Sequence, residues 1–226
     1  MRYLLVFVLS TCLYSTAALA HDNVSVGVNI GFNLGAYPRL VPVPGYPVYY
    51  DPRVNENYFF YDGLYWVYYN DNWYQSGWYN GPWQMVEPVY VPVYVLRVPV
   101  RYYRRPPVYF HAWRGDEAPR WNEHWGHAWE ERRTDWNQWD HRVHVAKAPL
   151  PVYQRQYSGA RYPEPQQQQA IRSEKYHYEP HEALTQQHWH QQASSGNHSE
   201  QAERDNGRGD KDHGNPHRRG NDNDNG

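Results

Sequence analysis

Between residues 60 and 83 the chain repeats one short phrase three times: Phe60-Tyr61-Asp62-Gly63-Leu64-Tyr65-Trp66, Tyr68-Tyr69-Asn70-Asp71-Asn72-Trp73-Tyr74 and Trp78-Tyr79-Asn80-Gly81-Pro82-Trp83. Each phrase places aromatic residues on both sides of Asx-rich turn residues. Aromatic side chains favour the pleated strand, and Asp-Gly, Asn-Asp and Asn-Gly tolerate the positive φ that tight hairpins require. The pattern therefore predicts an antiparallel meander with turns at Asp62-Gly63, Asn70-Asp71-Asn72 and Asn80-Gly81. The spacings of about 8 and 10 residues suit hairpins rather than a solenoid.

A second aromatic pattern has a different period. Ten of the 11 Trp lie between Trp66 and Trp139, and five of these are Trp121, Trp125, Trp129, Trp136 and Trp139. At about 100° per residue these five fall within about 80° of one another, one face of an amphipathic helix. Asp116, Glu117 and Pro119 suit a first helical turn, so the helix is expected over about 117–143. Between the two patterns, residues 86–100 are rich in Val but broken by Pro88, Pro92 and Pro99. That predicts an edge strand or a polyproline-like ribbon.

The flanks differ from this centre. Met1-Arg2, an apolar run to Ala18 and small residues at Ala18 and Ala20 have the anatomy of a secretory signal, with His21 as the first mature residue. Cys12, the only cysteine, lies inside it. Thr11 is bulky for the residue before a lipidated cysteine and the apolar run continues past Cys12, so cleavage after Ala20 is expected, leaving no thiol. Residues 23–35 alternate strictly, with Val24, Val26, Val28, Ile30, Phe32 and Leu34 on one face. This is a strand that docks on the module or a loose arm, since a membrane barrel needs at least about eight such strands. Five prolines between Tyr37 and Pro52 predict an extended linker. After Leu150 the chain is Gln-rich and then polar, with too little to bury, so 151–226 is expected to be largely disordered.

The expected fold class is thus α+β: a small antiparallel β meander covered by one Trp-striped amphipathic helix, with a signal peptide and a long disordered C-terminal tail. The expected divisions are 1–20 signal peptide, 21–57 alternating strand and Pro-rich linker, 58–145 aromatic sheet plus helix, and 146–226 polar tail.

The run Tyr61 to Trp66, Trp73-Tyr74, Asn80-Gly81-Pro82-Trp83, Arg97-Val98-Pro99-Val100-Arg101-Tyr102-Tyr103, Pro119-Arg120-Trp121 and His124-Trp125-Gly126 together resemble a group of exported Tyr/Trp-rich proteobacterial proteins. That group is related in style to the YXWGXW-repeat proteins. The resemblance spans roughly residues 58–140, although Tyr79-Asn80-Gly81-Pro82-Trp83 lacks the middle Trp of the hexapeptide. It implies a Gram-negative envelope location, periplasmic or outer-membrane associated, and nothing catalytic.

Three constellations carry candidate chemistry. Tyr65, Trp66, Trp73, Tyr74, Trp78 and Trp83 form either an aromatic core or a sheet face that stacks on sugar rings and extended peptides. His124, His127 and Glu131 fall opposite the Trp stripe at a spacing that suits a metal ion, set against a plain solvated face. Arg101 and Arg104, with Arg97, Arg105, Tyr102 and Tyr103, suit phosphate or carboxylate, set against pairing with the helix acids Glu117, Glu123, Glu130 and Asp135 or plain solvation. Arg208-Gly209-Asp210 follows from tail composition alone. The chain carries 22 Lys and Arg against 24 Asp and Glu, too even for bulk attraction to nucleic acid. No Gly-x-Ser-x-Gly elbow, phosphate loop or His-Glu-x-x-His occurs. The expected function is non-catalytic and without a cofactor: an exported envelope protein, a binding or structural module contacting glycan, peptidoglycan or another envelope protein. It has no transmembrane span in the mature chain, and its oligomeric state stays open. The alternative is a His-rich periplasmic metal-binding protein, since 13 His are spread along the chain.

Overall fold

A computed structural model describes residues 27–138, 140, 143 and 145–186. The expected signal peptide and the start of the alternating segment, residues 1–26, lie outside the described residues, as do His141, His144, Trp139 and 187–226.

Six antiparallel strands form one sheet in sequence order: β1 (Val41–Pro42), β2 (Tyr49–Tyr50), β3 (Asn57–Tyr61), β4 (Leu64–Tyr69), β5 (Asn72–Ser76) and β6 (Gln84–Val86). The two central hairpins are the expected ones. Tyr61 pairs with Leu64 across Asp62-Gly63, whose φ values are 49° and 85°. Tyr69 pairs with Asn72 across Asn70-Asp71, at 46° and 63°. Two successive positive φ values give the turn whose twist matches that of the strands, which is why Asx and Gly occupy these places. Asn80-Gly81 instead belongs to a longer connection, residues 77–83, between β5 and β6. The sheet also starts earlier than expected: β1 and β2 come from the Pro-rich stretch read as a linker.

Alternation along the strands sends side chains to two faces, and both are covered. On the first lie Phe59, Tyr61, Leu64, Trp66, Tyr68, Trp73 and Val86, packed with Val95, Leu96, Trp121, Trp129 and Trp136. On the second lie Tyr58, Phe60, Tyr65, Val67 and Tyr74, packed with Ile30, Tyr79, Trp83 and Ala148. The N-terminal arm docks here: Val28 bridges to Trp83 through two backbone hydrogen bonds, and Phe32 and Leu34 pack on the cluster.

Three further expectations need correction. The Val-rich stretch after β6 is not a ribbon but a series of short helical turns: Pro88–Tyr90, α1 (Val93–Leu96) and Val100–Tyr102. Each begins at or just after a proline, whose fixed φ suits a first turn. The single helix over 117–143 is two short ones, α2 (Trp121–Trp125) and α3 (His127–Arg132). Gly126 between them has φ 76° and ψ 179°, a backbone state open essentially to glycine, and it ends the first helix. The Trp stripe still docks: Trp121, Trp129 and Trp136 are buried, and the Trp121 indole N–H donates to the Leu96 carbonyl at 2.9 Å. Buried Arg97 and Arg133 fix these turns by donating to carbonyls of Trp136, Asp135 and Gln138, and of Val89 and Val91.

Most consequential, residues 145–186 are not a disordered tail. They run back over the second face and include the turn Val152–Gln156 and α4 (Pro165–Lys175). This segment buries few aliphatic groups, so composition misleads. It is held by polar anchors instead. Gln154 is fully buried and accepts from the Tyr65 hydroxyl and the Tyr79 N–H, while its amide donates to the Gly77 carbonyl and the Tyr153 hydroxyl. Arg172 of α4 donates to the carbonyls of Gly77 and Gly63, and the Trp78 indole donates to the Gln168 carbonyl. Beyond α4, Asp62 accepts from the Tyr178 hydroxyl and from the backbone N–H groups of His181 and Glu182. Among the described residues no helix is long and apolar enough to cross a membrane.

Candidate functional site

Of the two readings of the six aromatic residues, core or open sheet face, the structure has the core: all six are internal. Trp66 and Trp73 lie in the first cluster, Tyr65, Tyr74 and Trp83 in the second, and Trp78 is wedged edge-on against Tyr153, Tyr157 and Tyr162. None is more than 7% exposed. The sheet has no free face to offer them, because the N-terminal arm and residues 145–178 close the side that the helices leave open.

Half-exposed aromatic surface gathers elsewhere, at the corner where the β4–β5 turn meets α2. The positive-φ turn presents Asp71 to this corner. Tyr68, the strand residue three earlier, and Tyr109, from the turn Val108–Ala112, each bring a hydroxyl 2.7 Å from Asp71 Oδ1. The two hydroxyls are 2.6 Å apart. His124 of α2 places Nε2 3.0 Å from Asp71 Oδ2 and lays its ring flat on Tyr109, 4.2 Å between centroids at 12°. Trp125 lies flat on buried Trp121, 4.3 Å away at 7°, and Trp113 packs against Phe110 and Tyr109.

The electrostatics follow from this geometry. Burial opposes ionisation of Asp71, but the Tyr109 and Tyr68 hydroxyls and His124 outweigh it, and the carboxyl titrates below its ordinary range. Burial and then the hydrogen bonds with Tyr109 and Asp71 push the Tyr68 hydroxyl well up. Burial also raises Tyr109, with Asp71 adding to it against the opposing Tyr68 hydrogen bond. The corner thus holds a fixed carboxylate acceptor flanked by half-exposed aromatic side chains. Such a set can stack on a sugar ring and accept from its hydroxyls.

The expected metal set is not assembled. Gly126 puts the two histidines on different helices: His124 of α2 contacts Asp71, whereas exposed His127 of α3 contacts Glu131 at 3.2 Å and Glu130 at 4.0 Å. Among the described residues no group of three or more His, Cys, Asp or Glu could hold a metal ion. The tail histidines His188, His190, His198, His213 and His217 lie outside the described residues. Arg101 and Arg104 are exposed. The Arg101 guanidinium lies over Tyr102 at 5.8 Å, and its backbone N–H donates to the Gly115 carbonyl. Arg105 pairs with Glu56 at 2.9 Å rather than with a helix acid.

Of the corner, the sequence marks His124 alone as a candidate ligand, with Tyr68 and Trp125 visible only as members of the aromatic repeat and the Trp stripe. Asp71 was visible only as a turn residue, and Tyr109 and Trp113 lay outside both aromatic periods. The signal available is an aromatic turn after Pro106-Pro107, with Tyr109, Phe110 and Trp113, which carries no hint of Tyr109's partner 38 residues earlier. No family model, curated protein or solved structure matches the chain.

Proposed function

We propose that this chain is a non-catalytic, exported envelope protein whose folded module binds a glycan, such as peptidoglycan, through the aromatic corner around Asp71. One observation carries the reading. Tyr109 and His124 contact a carboxylate at the surface, and Trp113 and Trp125, also only partly buried, pack beside them, whereas the six aromatic residues of the repeat from Tyr65 to Trp83 are spent on the core. Stacking area beside fixed polar groups is what sugar recognition requires, and rigid rings lose little entropy when they bind. The resemblance to exported Tyr/Trp-rich proteins supports the envelope location.

The test is retention of the purified full chain on isolated sacculi. Trp113→Ala and Asp71→Asn should each weaken retention while circular dichroism stays that of the wild type. Tyr65→Ala should instead unfold the module, because that residue is core. Undiminished retention by both corner variants would refute the reading.

A further inference from the structure

Residues 36–39 of the N-terminal arm and the turn Val152–Gln156 approach each other at the surface of the second face. An open cleft of about 310 Å³ lies between them, lined by Ala36, Tyr37, Pro38, Arg39, Arg155 and Ser158. Two guanidinium groups and no carboxylate line it. Both arginines are exposed, and neither has an acidic partner among the described residues. A third guanidinium stands at the rim, where Arg161 Nη2 lies 3.5 Å from Ser158 Oγ.

The cleft is partly preorganised. The Arg155 guanidinium lies over the Tyr37 ring, 5.5 Å from its centroid, and Tyr37 is braced edge-on by Tyr79 at 5.7 Å. Stacking restrains the guanidinium while leaving its in-plane N–H donors free. Arg39 is fixed through its backbone, whose N–H donates to Asp51. That carboxylate is 2% exposed and pairs with the Arg53 guanidinium at 3.2 Å, so its charge is matched away from the cleft.

We propose that this cleft is an anion site that takes a phosphate group carried on a larger polar molecule. Two arginines lining one cleft, with a third beside Ser158, suit a tetrahedral group with several terminal oxygens, each able to accept charge-assisted hydrogen bonds. The volume leaves room for part of whatever bears the phosphate. The site is independent of the aromatic corner: Tyr37 packs on the second cluster, whereas Tyr109, Trp113 and Trp125 pack on the first. It exists only because residues 145–186 fold back. Two sources share the chemistry, a soluble phosphate ester and a phospholipid headgroup.

Calorimetric titration of the purified full chain with inorganic pyrophosphate at low ionic strength tests the site. Saturable binding is expected, weakened about tenfold or more by Arg155→Gln and by Arg39→Gln. Arg155→Lys, which keeps the charge but loses the stacked plane, should fall between, and Arg104→Gln should bind as the wild type does. Co-sedimentation with phosphatidylcholine vesicles, with and without phosphatidic acid, separates the sources. Sedimentation that needs phosphatidic acid and is lost in Arg155→Gln assigns the lipid headgroup, whereas pyrophosphate binding without sedimentation assigns a soluble ester. Absence of saturable pyrophosphate binding by the wild type overturns the proposal. So does undiminished binding by both glutamine variants when their circular dichroism matches the wild type.

Discussion

Replacing Gln154 by Ala removes four hydrogen bonds at once, but they do not count equally. The Gly77 carbonyl keeps Arg172 as a donor at 3.1 Å, and the half-exposed Tyr153 hydroxyl can turn to water. The Tyr65 hydroxyl and the Tyr79 N–H, bonded at 3.0 and 3.2 Å, both lose their acceptor inside the second cluster. A stranded buried donor costs about 1–3 kcal/mol, so Gln154→Ala should lose about 2–4 kcal/mol, with some relief if water enters. For a folded unit of this size that lowers the melting temperature by about 5–15 °C. Urea denaturation followed by Trp fluorescence measures it, and a lower midpoint with an unchanged slope would show lost stability rather than an altered denatured state. A change within about 0.5 kcal/mol, as for an ordinary surface substitution, would mean that residues 145–186 do not hold the module together.

Trp121→Ala removes a fully buried indole and its bond to Leu96, and should cost about 3–5 kcal/mol in the same assay. Gly126→Ala meets no atom within 4 Å, so its cost should be backbone strain alone, about 1–3 kcal/mol, read from the denaturation midpoint. Asp71 titrates below its ordinary range in the folded chain, so it contributes stability above its unfolded pKa that is lost as pH falls through the lower folded value. Melting temperatures measured downward from about pH 5 should therefore fall more steeply for the wild type than for Asp71→Asn.

The central hairpins were legible because their determinants are local: Asp62-Gly63 and Asn70-Asp71 impose the turns, and alternation imposes the faces. The docking of the Trp stripe was legible because Trp121, Trp129 and Trp136 share a face even across a broken helix. Gly126 was the visible breaker, but a strong aromatic period masked it. The strands β1 and β2 were hidden by the prolines around them, of which Pro42 lies within β1, where the edge position tolerates it. The fold-back of 145–186 was hidden for a different reason. Its stability rests on Gln154, Gln168 and Arg172, polar residues that look like solvated tail until their hydrogen-bond partners, from Gly63 to Tyr79, are known. The aromatic corner is built from residues 68, 71, 109, 113, 124 and 125, and no pattern within one segment joins them.

The Gln154 anchor lies 89 residues beyond the tyrosine whose hydroxyl it accepts. At a synthesis rate of about 5–20 residues per second, Tyr65 emerges some 4–18 s before its partner exists. The hairpins, being local, close in microseconds. For seconds, then, a nascent sheet stands with one aromatic side open to whatever else is sticky, until residues 145–186 fold back over it. Anything that keeps this polypeptide from aggregating while it is being made has that interval in which to grip the exposed tyrosines, and loses its hold once residue 154 arrives.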